Sequence, residues 1–303
     1  MKQEQTISAG TACVCPLIEY HADDYGLFPA QSRRILDCAE NGVLNAVSIM
    51  TTSPRLAVCM ESFEPFLDKL DIAVHLNFME GQALRPGLLT GKNGTFRVTF
   101  GSLLLHSFLL DRKKYRTALK EEIKSQLQAA EPYLSGKPLR IDSHAHYHMI
   151  PVVFDALMDV LTENKLPVSY IRIPMKPIGL YLRHWTELKG LRPINLVKVL
   201  VLNLLAARDL HKYHPFMETL EKRVFLGVML SGRMSYPNVS ALRKDAAALA
   251  ERRGWGLEIL AHPGGVYESD DLAELTHKDD AAFLSSRFRR DEAEMFQKVG
   301  SDI

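Results

Sequence analysis

The sequence predicts a parallel α/β fold, in its simplest form a closed (β/α) TIM-like barrel, and three observations carry that prediction. Apolar runs of strand length recur about seven times, with helical segments between them. Most of the runs lack strict polar alternation, which suits strands buried on both faces of a sheet. The length, 303 residues, is ample for one such barrel.

The elements follow in order. The first run, Leu17–His21, opens into His-Ala-Asp-Asp-Tyr-Gly at 21–26. Pro29 then starts a helix with an Ile35, Leu36, Ala39 stripe and a stop at Asn41-Gly42. Leu44–Met50 and Ile72–Leu76 are the second and third strands. Residues 82–112 carry Pro86, Gly87, Gly91 and Gly94, and read as a long loop followed by the apolar patch Phe100–Leu110. Tyr115, Leu119, Ile123, Leu127 and Ala130 form a helical ladder closed by Pro132. Leu139–Ile141, the helix Val152–Leu161 and the strand Val168–Ile173 come next.

Residues 176–222 fit the alternation poorly and read as a helical insertion or lid. They hold the basic, aromatic stretch Arg183-His184-Trp185 and an apolar helix near 194–207. That helix is expected to be buried, within the barrel or across a dimer, or else to meet an acyl chain or a membrane surface. Val224–Leu230, the helix Ala241–Arg253, Leu257–Ala261 and a helix over Asp279–Val299 complete the series. Residues 1–303 read as a single domain with a flexible stretch at 1–16.

Bulk properties exclude several function classes. The chain is 47% hydrophobic and 24% charged, with a formal net charge of +1, so no dominant electrostatic partner such as nucleic acid is expected. Cys13, Cys15, Cys38 and Cys59 do not complete a zinc ribbon and are expected as reduced thiols. Residues 1–10 lack the apolar core of a secretory leader. The apolar stretch 194–207 is broken by Asn195, Lys198 and Asn203, too short and polar to span a bilayer. A cytoplasmic protein is the expectation, with a homodimer as the commonest assembly.

The chemistry-bearing residues gather at strand ends. Asp142-Ser143-His144-Ala145-His146-Tyr147-His148 places three imidazoles in five residues, and alternation along an extended chain aims all three at one side. Asp23 and Asp24 end the first strand, and adjacent carboxylates repel unless a positive charge joins them. His75 ends the third strand with Glu80 just beyond, Arg172 lies near the end of the fifth, and His262-Pro263-Gly264-Gly265 follows the last. Sites in parallel barrels form at the carboxyl ends of strands, and Asp23, Asp24, His75, His144 and His262 all lie there. A mixed Asp/His ligand set suits a hydrolytic metal site holding zinc, cobalt or iron. A spare carboxylate and a separate His supply a base and an acid. Another metal-dependent amidohydrolase, a phosphoesterase, or a non-catalytic metal-stabilised glycan-binding protein shares much of this pattern.

At these residues the chain resembles the YdjC family of carbohydrate deacetylases. The shared motifs are His-Ala-Asp-Asp-Tyr-Gly (21–26), His-Leu-Asn-Phe-Met-Glu-Gly (75–81), Asp-Ser-His-Ala-His-Tyr-His (142–148) and Ala-His-Pro-Gly (261–264). The resemblance implies a distorted barrel that removes acetyl groups from N-acetylated sugars with one divalent metal, magnesium or zinc. Carried over position by position, Asp24, His75 and His144 hold the metal, Asp23 is the general base and His262 the general acid. His146 and His148 line the site or orient ligands; Arg172 orients the base or binds substrate, and Glu80 meets substrate or supports the ligands. The chain departs from the family in having His21 where Asn is usual and Tyr25 where Phe is usual.

Overall fold

The computed structural model describes residues 17–266 and 284–302. Seven parallel strands form one sheet in the order β5-β4-β3-β2-β1-β7-β6. They are β1 (Ile18–Tyr25), β2 (Ala46–Ile49), β3 (Asp71–Leu76), β4 (Leu139–Ser143), β5 (Val168–Ile171), β6 (Arg223–Leu226) and β7 (Gly256–Ala261). The helices are α1 (Pro29–Glu40), α2 (Leu56–Glu61), α3 (Phe100–His106), α4 (Arg112–Ala130), α5 (Pro151–Glu163), α6 (Ile178–Arg183), α7 (Pro193–Lys212), α8 (His214–Met217), α9 (Tyr236–Arg253) and α10 (Arg287–Ser301).

The sheet curls into a distorted barrel with a seam between β5 and β6, which are not paired as strands. Near their start a backbone hydrogen bond from Glu221 N to Ser169 O (2.9 Å) crosses the seam. Side chains then bridge the interior: Arg172, just past β5, donates to Glu258 on β7 (2.7 Å) and to Asp23 on β1 (3.0 Å).

Local chemistry explains the elements that frame the site. α1 begins at Pro29 after an extended Phe28 and ends at Asn41, as the sequence predicts. Gly264, with φ +83°, turns the chain after β7 against α1; a Cβ there would lie 2.5 Å from Gln31 O. α3 is held by a Thr99/Ser102 capping box. On α4 the buried Glu122 and Gln126 accept from Arg85 N (2.7 Å) and Asn77 N (2.8 Å), which pins the loop after β3.

Several boundaries differ from expectation. β1 runs on to Tyr25, so the aspartates lie within a strand end that slips register between Ala22 and Tyr25. β6 stops at Leu226 and Val228–Leu230 forms a 3-10 turn. The first part of the expected Asp279–Val299 helix, through residue 283, lies outside the described residues, as do Cys13, Cys15 and the stretch 1–16; α10 starts at Arg287 behind the Ser286 cap. Cys38 and Cys59 are buried and form no disulfide among the described residues. Among the described residues no helix is long and apolar enough to cross a membrane. α7 buries only one face: Val199, Leu202, Leu205 and Ala206 are inside, while Ile194, Val197, Leu200 and Leu204 are exposed.

Candidate active site and metal centre

The barrel interior is ionic. Glu19, His21 and Asp23 alternate along β1, all buried. Glu19 is ion-paired with Arg140 and Arg223. Arg172, fully buried, joins Asp23 (3.0 Å), Asp142 (2.7 Å) and Glu258 (2.7 Å). Burial alone would strip charge from such groups, so they persist by mutual compensation. Burial pushes the Asp142 carboxyl up, but Arg172 and His75 beside it hold it far below the usual range.

This ionic layer supports the cluster above it. His75 Nδ1 donates to Asp142 Oδ1 at 2.7 Å. An ionised carboxylate only accepts, so the Nδ1 carries hydrogen and Nε2 is the ring nitrogen left to face the cluster. His75 Nε2 is buried, has no hydrogen-bond partner, and lies 3.6 Å from Asp24 Oδ1. His144 Nδ1 is 3.0 Å from the same oxygen, and its Nε2 is 3.4 Å from Glu80 Oε1. Burial lowers the affinity of His144 for a proton, but Asp24 and Glu80 outweigh it and push its pKa up to about 10. The cluster is thus a place that favours positive charge.

The ligand atoms of Asp24, His75 and His144 lie within 4.8 Å of one another. Two carboxylate/imidazole groups deeper in the barrel meet the same distance limit: Glu19, His21, Glu258 and His21, Asp23, Asp142. Neither suits a metal, because both His21 nitrogens are engaged, with Glu19 (2.8 Å) and Ser48 (2.6 Å), and the carboxylates already carry arginines. The upper trio fits: it has an orphaned buried imidazole nitrogen aimed at a carboxylate oxygen.

Asp23 is aligned by Arg172, whose Nη1 contacts both carboxylate oxygens at 3.0 Å. His262 Nε2 lies 3.9 Å from Asp23 Oδ2. His262 is about a quarter exposed (28%), unlike the buried aspartates, so it faces the cavity. Its backbone N–H donates to Glu292 Oε2 (2.6 Å), which also lies 3.9 Å from His262 Nδ1. Arg289 Nη2 comes within 3.5 Å of Asp24 Oδ2. Glu292 and Arg289 on α10 escaped sequence reasoning. A signal existed: they share a helix face with the buried Phe296 and Val299, where charged residues are out of place.

The expected alternation of the three histidines does not hold. Ala145 (φ 49°) and His146 (φ 58°) are left-handed inside a 3-10 segment, so the chain is not extended there. His144 reaches the metal trio; His146 lines the cavity against Phe225. His148 turns inward, accepting from Ser143 Oγ through Nδ1 (2.6 Å) and donating through Nε2 to Arg172 O (2.7 Å). Burial lowers the pKa of His148 to about 4, which makes it a neutral clamp on the Arg172 backbone, away from substrate. Arg172 itself is too buried to meet substrate.

Above the cluster opens a cavity of about 780 Å³, lined by Asp23, Asp24, His75, His144 and His262 at one end and by apolar side chains toward α7.

A family model described as YdjC-like protein matches residues 18–298. A carbohydrate deacetylase from Danio rerio is 25% identical over 160 residues, 51% of this chain and 49% of the relative. One from Xenopus laevis is 28% identical over 170 residues, 54% and 52% of the two chains. A chitooligosaccharide deacetylase from Yersinia pestis is 26% identical over 173 residues, 55% and 64%. The matched part is thus about half to two thirds of each curated relative's length. A crystal structure from Enterococcus faecalis V583, provisionally named for cellobiose-phosphate cleavage, superposes with a TM-score of 0.58 at 18% identity, over 93% of this chain and 95% of that one. At that identity it supports the fold alone.

Proposed function

The chain belongs to the YdjC-like protein family, and from that premise we propose that it is a metal-dependent carbohydrate deacetylase. The reaction is hydrolysis of the acetamide of an N-acetylated sugar to acetate and a free amine. One observation carries the reading: the unpartnered His75 Nε2, Asp24 and His144 stand beside Asp23 and His262 at the floor of one cavity. The trio supplies a cation site, and the pair supplies a base and an acid.

Asp24, His75 and His144 would hold one divalent ion, magnesium or zinc, which supplies Lewis acidity toward the acetyl oxygen and toward water. The protein's own groups do the rest. Asp23, oriented by Arg172, accepts the proton of the attacking water. His262 donates a proton to the amide nitrogen, which leaves poorly as an anion. Its 3.9 Å separation from Asp23 lets base and acid flank one tetrahedral centre. Glu292 fixes the His262 backbone, so the ring keeps its direction. The apolar wall limits water around the reacting amide.

Mass spectrometry of N-acetylated mono- and disaccharides after incubation with the metal-supplied protein tests this. Loss of one acetyl group with the glycosidic bond intact is expected. A cleaved glycosidic bond, or unchanged sugars beside released phosphate from phosphosugars, contradicts it.

A further inference from the structure

The cavity is a poor fit for a wholly hydroxylated ligand. Hydrogen-bonding side chains crowd the floor, at the Asp23 and His262 end, and above it they thin out to Lys198, Ser231 and Tyr147. Most of the remaining wall is Met79, Phe100, Val197, Val201, Leu202 and Met234. A sugar hydroxyl pressed against such a wall loses its water without gaining a partner, which is unfavourable. A volume of about 780 Å³ is large among ligand cavities, which run from roughly 300 to 1,000 Å³. It leaves apolar space beyond a single sugar ring held at the floor.

The wall also continues outward. α7 is apolar on both sides: Val199, Leu202, Leu205 and Ala206 pack inside, and Ile194, Val197, Leu200 and Leu204 are each more than half exposed. An exposed run of apolar side chains of this extent, interrupted by Lys198, is normally covered. Val197 belongs to both surfaces, lining the cavity and standing open to solvent. The cavity and the outer face of α7 are therefore one continuous apolar track that begins at the catalytic floor.

We propose that the substrate is an N-acetylated amino sugar bearing a hydrocarbon chain, with the acetamide at Asp23 and His262 and the chain lying along α7. This rests on the deacetylase reading for the head group, whereas the track itself needs no reaction. No covalent step is added to the one already described.

The test separates the two. Alkyl glycosides of N-acetylglucosamine (methyl, butyl, hexyl, octyl) are titrated calorimetrically into metal-supplied Asp23→Asn protein, and acetate release from the same series is measured with the unaltered protein. Each methylene that enters the track should tighten Kd by roughly threefold to fourfold, with a plateau once the track is full. Val201→Asp should flatten the series. Val197→Asp, at a more exposed position that tolerates charge, should flatten it too and guards against a folding artefact. A Kd independent of chain length overturns the proposal, whatever the acetate assay gives. A chain-length dependence without acetate from any member upholds the track and removes the deacetylase reading.

Discussion

Arg172 contacts both oxygens of Asp23 through a single guanidinium nitrogen, 3.0 Å from each, from the far side of the barrel seam. The same guanidinium reaches Asp142 at 2.7 Å, and Asp142 accepts from His75. One buried cation therefore orients the proposed base and, through Asp142, a proposed metal ligand. Arg172→Gln leaves Asp23, Asp142 and Glu258 without it. Unfolding free energy should fall by about 3–5 kcal/mol, the usual result of breaking a buried pair, as read by chemical denaturation. Arg172→Lys keeps the charge but not the fork and should recover part of the stability while turnover stays low.

Asp23→Asn should abolish turnover and leave the metal content of the dialysed protein unchanged. Asp24→Asn and His144→Ala should lose the metal. Elemental analysis of the dialysed variants measures both. Metal loss in Asp23→Asn would move that residue from base to ligand.

His262→Ala should lower kcat by about 10²–10⁴, the range for a general acid. Glu292→Gln keeps the shape but weakens the charge-assisted bond to the His262 backbone, and should lower kcat by roughly tenfold with KM little changed. Steady-state kinetics separates that outcome from a substrate-binding role, which would raise KM instead.

Asp155 on α5 gives a pH-dependent stability test away from the site. Burial pushes its carboxyl up, but Lys212 (2.8 Å), Tyr213 (2.7 Å) and Arg208 (2.7 Å) bring its pKa down to about 2. The folded value is below the unfolded one, so ionised Asp155 stabilises above about pH 4. That contribution fades as pH falls toward 2. Asp155→Asn should cost up to about 2 kcal/mol at pH 7, and the gap to the parent protein should close between pH 4 and 2 in thermal melts.

Much of the architecture was legible because apolar runs mark buried parallel strands: all seven expected strands exist, most within a few residues of their predicted ends. The gathering of Asp23, Asp24, His75, His144 and His262 was legible from their common place at strand ends. The barrel's ionic filling was not. Glu19, Arg140, Arg223 and Glu258 are buried polar residues that pattern reading assigns to solvent, and only three-dimensional pairing makes them interior. The histidine alternation failed because Ala145 and His146 adopt left-handed backbone, a choice that apolar periodicity does not encode. Arg289 and Glu292 reach the site from a helix far along the chain, with no motif around them.

The central claim is that Asp24, His75 and His144 hold one divalent ion that Asp23 and His262 need for hydrolysis. The most direct measurement strips the protein of metal, returns one divalent ion at a time, and follows acetate release from an N-acetylated sugar against metal bound per chain. Acetate release that is absent in the stripped protein, rises to a plateau at one ion per chain with magnesium or zinc, and is missing in Asp23→Asn is the predicted result. Undiminished release from stripped protein, or one ion bound per chain with no acetate from any sugar in the series, would contradict it.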